Sequence, residues 1–322
     1  MTIKILLLEE PVLSNVSFWR IYMPLKIMRM LYAPAGINFD FIGANRKELD
    51  FFNAWAPDIT ICSRPGDEKI NEYFRWCKNQ GCRVVVDLDD DILNFPEHHA
   101  FSGEFKKRAK NIEEALGLAD ILWYSTDKFL ETYGPGVVLP NAILPGDLPE
   151  NPSPDNGFWG WRGLHIQSYD WDAFKGQYEG NKKNAGLRDI AKHWFFMGWF
   201  PPAQHRSVTA LPPIQNPQDY LKKIKEMGLN YIWKPMINHR FSEHKSNISL
   251  LEAAMAGGVC MTNFAGRPGF EYATDRPLSY DNACELWVKA KEDILNRYNL
   301  VKVSQARAES LIKLVQHLMP AK

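Results

Sequence analysis

Short apolar runs alternate along the first half of the chain with segments of helical spacing. Ile3–Leu8 reads as a buried strand, and Ser17–Tyr32 as a helix that Pro24 divides into two pieces. Phe39–Gly43 and Ile59–Ser63 are short β-type runs, and Asp67–Asn79 is a helix ending near Gly81. Arg83–Leu88 contains Val84-Val85-Val86, the strongest strand signal present. Phe105–Leu118 places Ala109, Ile112 and Leu116 at helical spacing, and Ile121–Ser125 and Val137–Leu139 close the series as strands. Strands alternating with helices predict a mainly parallel sheet covered on both faces.

Between Pro145 and Gly157 the texture changes to four prolines among Asp, Asn and Ser, a linker composition. The expected division is a first unit over 1–148, a linker over 149–157 and a second unit over 158–322. In the second unit Phe158–Arg162, Trp194–Gly198, Val208–Leu211, Tyr231–Pro235 and Val259–Asn263 are predicted strands. Pro217–Met227 and Ser246–Ala256 are predicted helices, and from Asp281 the chain is helical almost to its end, with a break near Asn299. The fold class is therefore α/β: two units of similar size with a cleft between them, or two such units without a shared site. Ligands of open parallel sheets sit at the carboxyl ends of the strands.

Composition narrows the classes. With 322 residues, 45% of them hydrophobic, the chain has enough apolar material for packed domains and excludes long disorder. Lys+Arg and Asp+Glu both number 38, so net charge gives no reason to expect polyanion binding. The halves differ, however: residues 1–150 hold 16 basic and 22 acidic side chains, residues 151–322 hold 22 and 16. An anionic ligand should prefer the second half. Five cysteines without a C-x-x-C pair form neither a disulfide framework nor a zinc site of ordinary spacing. The first apolar run is too short for a signal peptide, so the expected location is a reducing cytoplasm, that of a bacterium or a virus-infected cell, without stable membrane insertion.

The segment richest in chemistry is His244-Lys245-Ser246-Asn247 followed by Ile248–Gly258. Ser246 or Asn247 is a good N-cap, and Gly257-Gly258 suits a helix end. A helix amino end carries roughly half a positive charge and attracts phosphate; Lys245 directly precedes it and Arg240 lies just upstream. Glu252 sits six residues in, about 9 Å along the axis. That separation suits a diphosphate at the helix start and a ribose at the carboxylate. A capped surface helix with solvated Lys and Glu accounts for the same spacing.

This run resembles the donor-site helix of GT-B glycosyltransferases, especially the retaining, family 4-like group (glycosyl transferases group 1) with a Glu-x7-Glu signature. Trp159-Gly160-Trp161-Arg162-Gly163 with His165, Phe195–Gly198 with Pro201, and Val137–Ala142 resemble further segments of that group, so the similarity spans nearly the whole chain. The resemblance implies transfer of a hexosyl or pentosyl unit from a nucleotide-diphosphate sugar, such as a UDP-sugar, to a hydroxyl, with retention. The nucleotide sugar is a co-substrate: no cofactor stays bound, and a divalent metal is compatible but not required. Lys245 would neutralise the diphosphate, Ser246 and Asn247 would present N–H groups to it, and Glu252 would hold the ribose. Arg162, Gly163 and His165 would border the donor, with His165 near the leaving group. The first Glu of the signature is replaced here by His244, a departure that bears on sugar identity.

Asp87-Leu88-Asp89-Asp90-Asp91 follows the strongest strand, and crowded carboxylates there call for a cation or a donor-rich ligand. Three readings stand. The run faces an acceptor across the cleft, with Asp89 or Asp91 as general base were the enzyme inverting. It is the metal site of a GT-A-type transferase. Or it is a solvated acidic turn. Arg20, early in the first helix, is either a cleft residue on the acceptor side with Asp87 and Asp90, or more simply a surface arginine. Lys106-Lys107-Arg108 with Lys110 places positive charge at a helix start, compatible with a phosphate-bearing acceptor such as hydroxymethylated viral DNA (a DNA modification) or a lipid-linked phosphate. A glycan or small-molecule acceptor fits equally well. The alternative from another class is a GT-B-like binding or structural protein without catalysis. The sequence leaves the oligomeric state open.

Overall fold

The computed structural model describes residues 1–8, 17–44, 55–97, 102–156, 158–162, 176–180, 186, 192–197, 208–212, 214, 216–236 and 238–316. The strands of the first half are β1 (Thr2–Leu8), β2 (Asn38–Ala44), β3 (Ile59–Ser63), β4 (Arg83–Leu88), β5 (Ile121–Tyr124) and β6 (Val137–Val138). They form one sheet in the order β2-β1-β3-β4-β5-β6, parallel throughout. Helices α1 (Met23–Tyr32), α2 (Glu68–Asn79), α3 (Ser102–Leu118) and α4 (Lys128–Tyr133) connect them. The Val84–Val86 run is fully buried, as a central parallel strand covered on both faces requires.

Pro24 divides the first helical segment as its chemistry dictates. Phe18–Tyr22 forms a π-turn in which the Met23 N–H reaches back to the Phe18 carbonyl, and α1 continues from Met23. Pro24 lacks the N–H that would have continued the regular ladder, so it sits at the helix start, where none is needed.

The second sheet is built from β7 (Phe158–Arg162), β8 (His193–Met197), β9 (Val208–Leu211), β10 (Tyr231–Trp233) and β11 (Val259–Met261). Its order is β11-β10-β7-β8-β9, again parallel throughout. Helices α5 (Pro217–Met227), α6 (Arg240–Glu243) and α7 (Ile248–Met255) lie between its strands, and α8 (Tyr280–Arg297) follows. Trp159 and Trp194, both in strands, pack with Trp233 and Trp287 in the core of this half.

The last helix, α9 (Leu300–Gln316), returns to the first sheet. Ala308, Leu311 and Val315 share a core with Ile3, Ile5, Ile61, Val85 and Trp123. The turn between α8 and α9 is clamped to the chain leaving the first half: the Ile143 N–H donates to the Tyr298 carbonyl at 3.1 Å, and the Leu300 N–H to the Ile143 carbonyl at 2.9 Å. The chain thus crosses twice at one place, and the predicted break near Asn299 is that crossing. Among the described residues no helix is long and apolar enough to cross a membrane.

Candidate functional site

The carboxyl ends of the two sheets meet where β4 runs into Asp89–Asp91 and where α7 begins after Lys245. Lys245 Nζ donates to Asp90 Oδ1 at 2.6 Å, from one half of the chain to the other. The Lys245 ammonium also lies 4.2 Å from the Phe241 ring centre, and Phe241 in turn packs on Phe95 of the first half. Lys245 is 30% exposed and Asp90 12%, so the pair is partly screened by water but within reach of a ligand.

Protein cations meet three of the carboxylates directly: Arg20 at Asp87, Arg64 at Asp89 and Asp90, and Lys245 at Asp90. Asp87 is fully buried and bonded to both ends of the Arg20 fork, with Nε at 2.7 Å and Nη2 at 2.6 Å. Arg20 Nη1 reaches the Leu139 carbonyl at 3.1 Å and Asn141 Oδ1 at 3.5 Å. Arg20 is therefore no surface arginine: it is 1% exposed. Asp87 is as deeply buried, and the pair is held to Leu139 and Asn141 at the end of the first sheet. The mismatch has a plain cause: a pair joined across 67 residues leaves no local trace.

Asp89 is bonded by Arg64 Nε at 3.0 Å and Nη2 at 2.9 Å. The same Arg64 reaches Asp90 Oδ2 at 2.6 Å. Burial raises the pKa of Asp89 and repulsion from Asp90 adds to that, while Arg64 works in the opposite direction. Burial also works against the charge on Arg64, but Asp89 and Asp90 more than reverse this and raise its pKa. Arg64 holds this place at φ +50°, in the left-handed region. That conformation costs a residue with a side chain about 1–2 kcal/mol and persists only where its surroundings demand it. Sequence reading passed over Arg64; its one signal is its position directly after β3, at a strand's carboxyl end.

Asp91 is fully buried and accepts from Asn94 Nδ2 at 2.9 Å and from the Tyr133 hydroxyl. Burial and that bond raise the pKa of Tyr133. The other oxygen of Asp91 lies 3.4 Å from His244 Nδ1 and 3.5 Å from Arg240 Nε. His244 is fully buried, with Nδ1 on the Arg240 carbonyl at 2.9 Å, Nε2 on Thr132 Oγ1 at 2.7 Å and its ring against Phe129. In this arrangement His244 joins the two halves and does not line open space, and Asp91 has no exposed oxygen with which to serve an acceptor.

Helix α7 starts at Asn247, whose side chain does not cap it; Nδ2 points instead to the Asn141 carbonyl at 3.5 Å. Ser246 is half-buried beside it. Glu252 is buried among Ser249–Met255, so it is not the solvated carboxylate of a surface helix. Gly257 ends α7 at φ +77°. Arg162 is the last residue of β7, and its side chain, with Gly163 and His165, lies outside the described residues. Among the described residues no group of three or more His, Cys, Asp or Glu is placed to hold a metal ion. In the basic stretch of α3, Lys106 pairs with Glu97 at 3.1 Å and Arg108 with Glu104 at 2.6 Å.

No family model and no curated protein matches the sequence. Among solved structures, the apo form of the lipopolysaccharide outer core galactosyltransferase WaaB aligns with 96% of this chain and 99% of its own. Its TM-score is 0.52 and its identity 13%. The UDP-GlcNAc 2-epimerase of Methanocaldococcus jannaschii aligns over 97% and 100% with a TM-score of 0.49 and 14% identity. With its two parallel sheets and the likeness to WaaB, the fold is the GT-B arrangement of two Rossmann-like units. At such identity the likeness is one of fold.

Proposed function

We propose that the protein is a glycosyltransferase that binds a nucleotide-diphosphate sugar at the start of α7 and transfers the sugar to a hydroxyl acceptor. The observation that carries the reading is the placement of Lys245 at the amino end of α7, opposite the carboxyl edge of the other sheet, with Glu252 buried farther along the same helix. The helix end and Lys245 would stabilise the departing diphosphate, and the half-exposed Arg240 would add a second charge at the rim. Glu252, about 6 Å along the axis from Ile248, would accept hydrogen bonds from the ribose. Retention would follow from attack on the face that the diphosphate leaves, with that leaving phosphate taking the acceptor's proton. Were the reaction inverting, Asp90 would be the base of choice among the three aspartates, because it is the most exposed of them.

A panel of nucleotide sugars in a thermal-shift assay, followed by transfer assays with the stabilising donor, tests the reading. Ligand binding to the native state alone raises the melting temperature. Lys245→Ala should lower kcat/KM about 100-fold or more, the usual worth of one charge-stabilising donor. Melting should move little, because Asp90 keeps Arg64. Unchanged transfer by that variant, or stabilisation without any transfer or donor hydrolysis, would speak for another site or for a binding protein.

A further inference from the structure

Asp90 is shared between the two halves of the molecule. One oxygen accepts from Lys245 across the junction and the other from Arg64 within the first half, each at 2.6 Å. Lys245 is also the cation closest in sequence to the start of α7. The protein therefore already places an anion on the group that a diphosphate would need.

We propose that Asp90 is the resident counter-anion of Lys245, displaced when a diphosphate arrives, and that Arg64 is the positioning residue that retains Asp90 through the exchange. This rests on the diphosphate site of the preceding reading. A carboxylate and a phosphate oxygen are like acceptors for one ammonium, and the second negative charge of a diphosphate favours the exchange over a monoanion. On losing Lys245, Asp90 would stand beside Asp89 as a mostly buried carboxylate. Like charges in such a place repel, and leaving a buried charge without a partner is costly. Arg64 removes that cost, because its planar fork binds Asp89 through two nitrogens while reaching Asp90. A lysine could not hold both with that geometry.

Isothermal titration with inorganic pyrophosphate tests the exchange. Asp90→Asn removes the competing charge at nearly constant shape and should tighten pyrophosphate about fivefold, the worth of a partly exposed ion pair. A residue with a merely structural role would not tighten an anion when removed. The gain should vanish in Asp90→Asn combined with Lys245→Ala. Should the asparagine variant lose cooperative unfolding, Asp90→Ser gives the same comparison. Wild-type binding that is lost in Lys245→Ala yet unchanged in Asp90→Asn leaves the donor site standing and overturns the displacement alone. Tightening that persists without Lys245 overturns it too. Binding by neither wild type nor Asp90→Asn removes the diphosphate site and the displacement together.

Discussion

Replacing Arg307 with methionine should stabilise the protein. Arg307 is 1% exposed on α9, with Nη1 3.8 Å from Asp87 Oδ1 and its guanidinium 4.8 Å from the Trp123 ring centre. None of its three side-chain nitrogens makes a hydrogen bond among the described residues. Arg20 has taken both oxygens of Asp87, so two buried guanidiniums share one carboxylate. Burial is the main cause that lowers the Arg307 pKa to about 9, and repulsion from Arg20 exceeds the attraction of Asp87. Below that pH the side chain is charged in both the folded and the unfolded chain, so the cost is fully present at pH 7. Against an ordinary value of 12.5, at ~1.4 kcal/mol per unit, it amounts to an upper bound of about 5 kcal/mol. Packing on Trp123 returns about 1–2 kcal/mol. Methionine fills similar volume beside Trp123 without a charge. The expected gain is about 1–3 kcal/mol, within the range found when buried ionic groups give way to apolar ones. Asp87→Asn should do the reverse and cost about 3–5 kcal/mol, because it strands two cations. Adding Arg307→Met to that variant should recover part of the loss. Urea unfolding at pH 7 followed by tryptophan fluorescence reads all three. A loss of more than about 1 kcal/mol in Arg307→Met would refute the reasoning, since it would require a favourable contact that outweighs burial of the charge.

Two further changes test the second half. Burial raises the Cys260 thiol to about 12 from an ordinary value of 9.0, with Lys234 acting weakly against it. Between pH 9 and 12 the folded chain keeps a proton that the unfolded chain has lost, so this group makes stability fall as pH rises, by ~1.4 kcal/mol per unit. Cys260→Ala should lose about 1 kcal/mol at pH 7 through lost packing yet decline less steeply from pH 9 to 11; urea midpoints that fall in parallel contradict this. A Cβ at Gly258 would lie 2.1 Å from the Leu229 carbonyl oxygen and 2.5 Å from that of Asn230. Backbone cannot give way there, so Gly258→Ala should cost about 3 kcal/mol or more and lower the melting temperature by many degrees; an unchanged melting curve would contradict the close packing.

The strands and helices were legible because local rules govern them. Val84–Val86 is an unbroken apolar run because it is central in a parallel sheet, and the divided first helix follows from one missing N–H at Pro24. The break near Asn299 was visible as a pause in helical pattern, but its role in clamping α9 to Ile143 was not. The site was legible in part. Its carboxylates and Lys245 could be picked out by spacing, but their partners could not, because Arg20–Asp87, Arg64–Asp90 and Lys245–Asp90 span 67, 26 and 155 residues. Tertiary packing alone brings such groups together.

The opposed charges of the two halves find each other in these pairs. Lys245 meets Asp90, Arg240 meets Asp91 and Lys225 meets Asp147, each a cation of the second half on a carboxylate of the first. An excess of basic residues after position 150 suggests a surface that draws anions. Several of those residues are instead engaged in holding the halves together, so the field felt by a free anion is weaker than composition implies. What selects a ligand at such a junction is the difference between its charge and that of the resident carboxylate. In the proposed exchange a ligand with two adjacent phosphates would gain at Lys245 more than Asp90 gives up, whereas a single carboxylate would gain nothing. Under the proposed exchange, selectivity for a diphosphate would need no dedicated pocket for both phosphates; it would follow from the anion displaced.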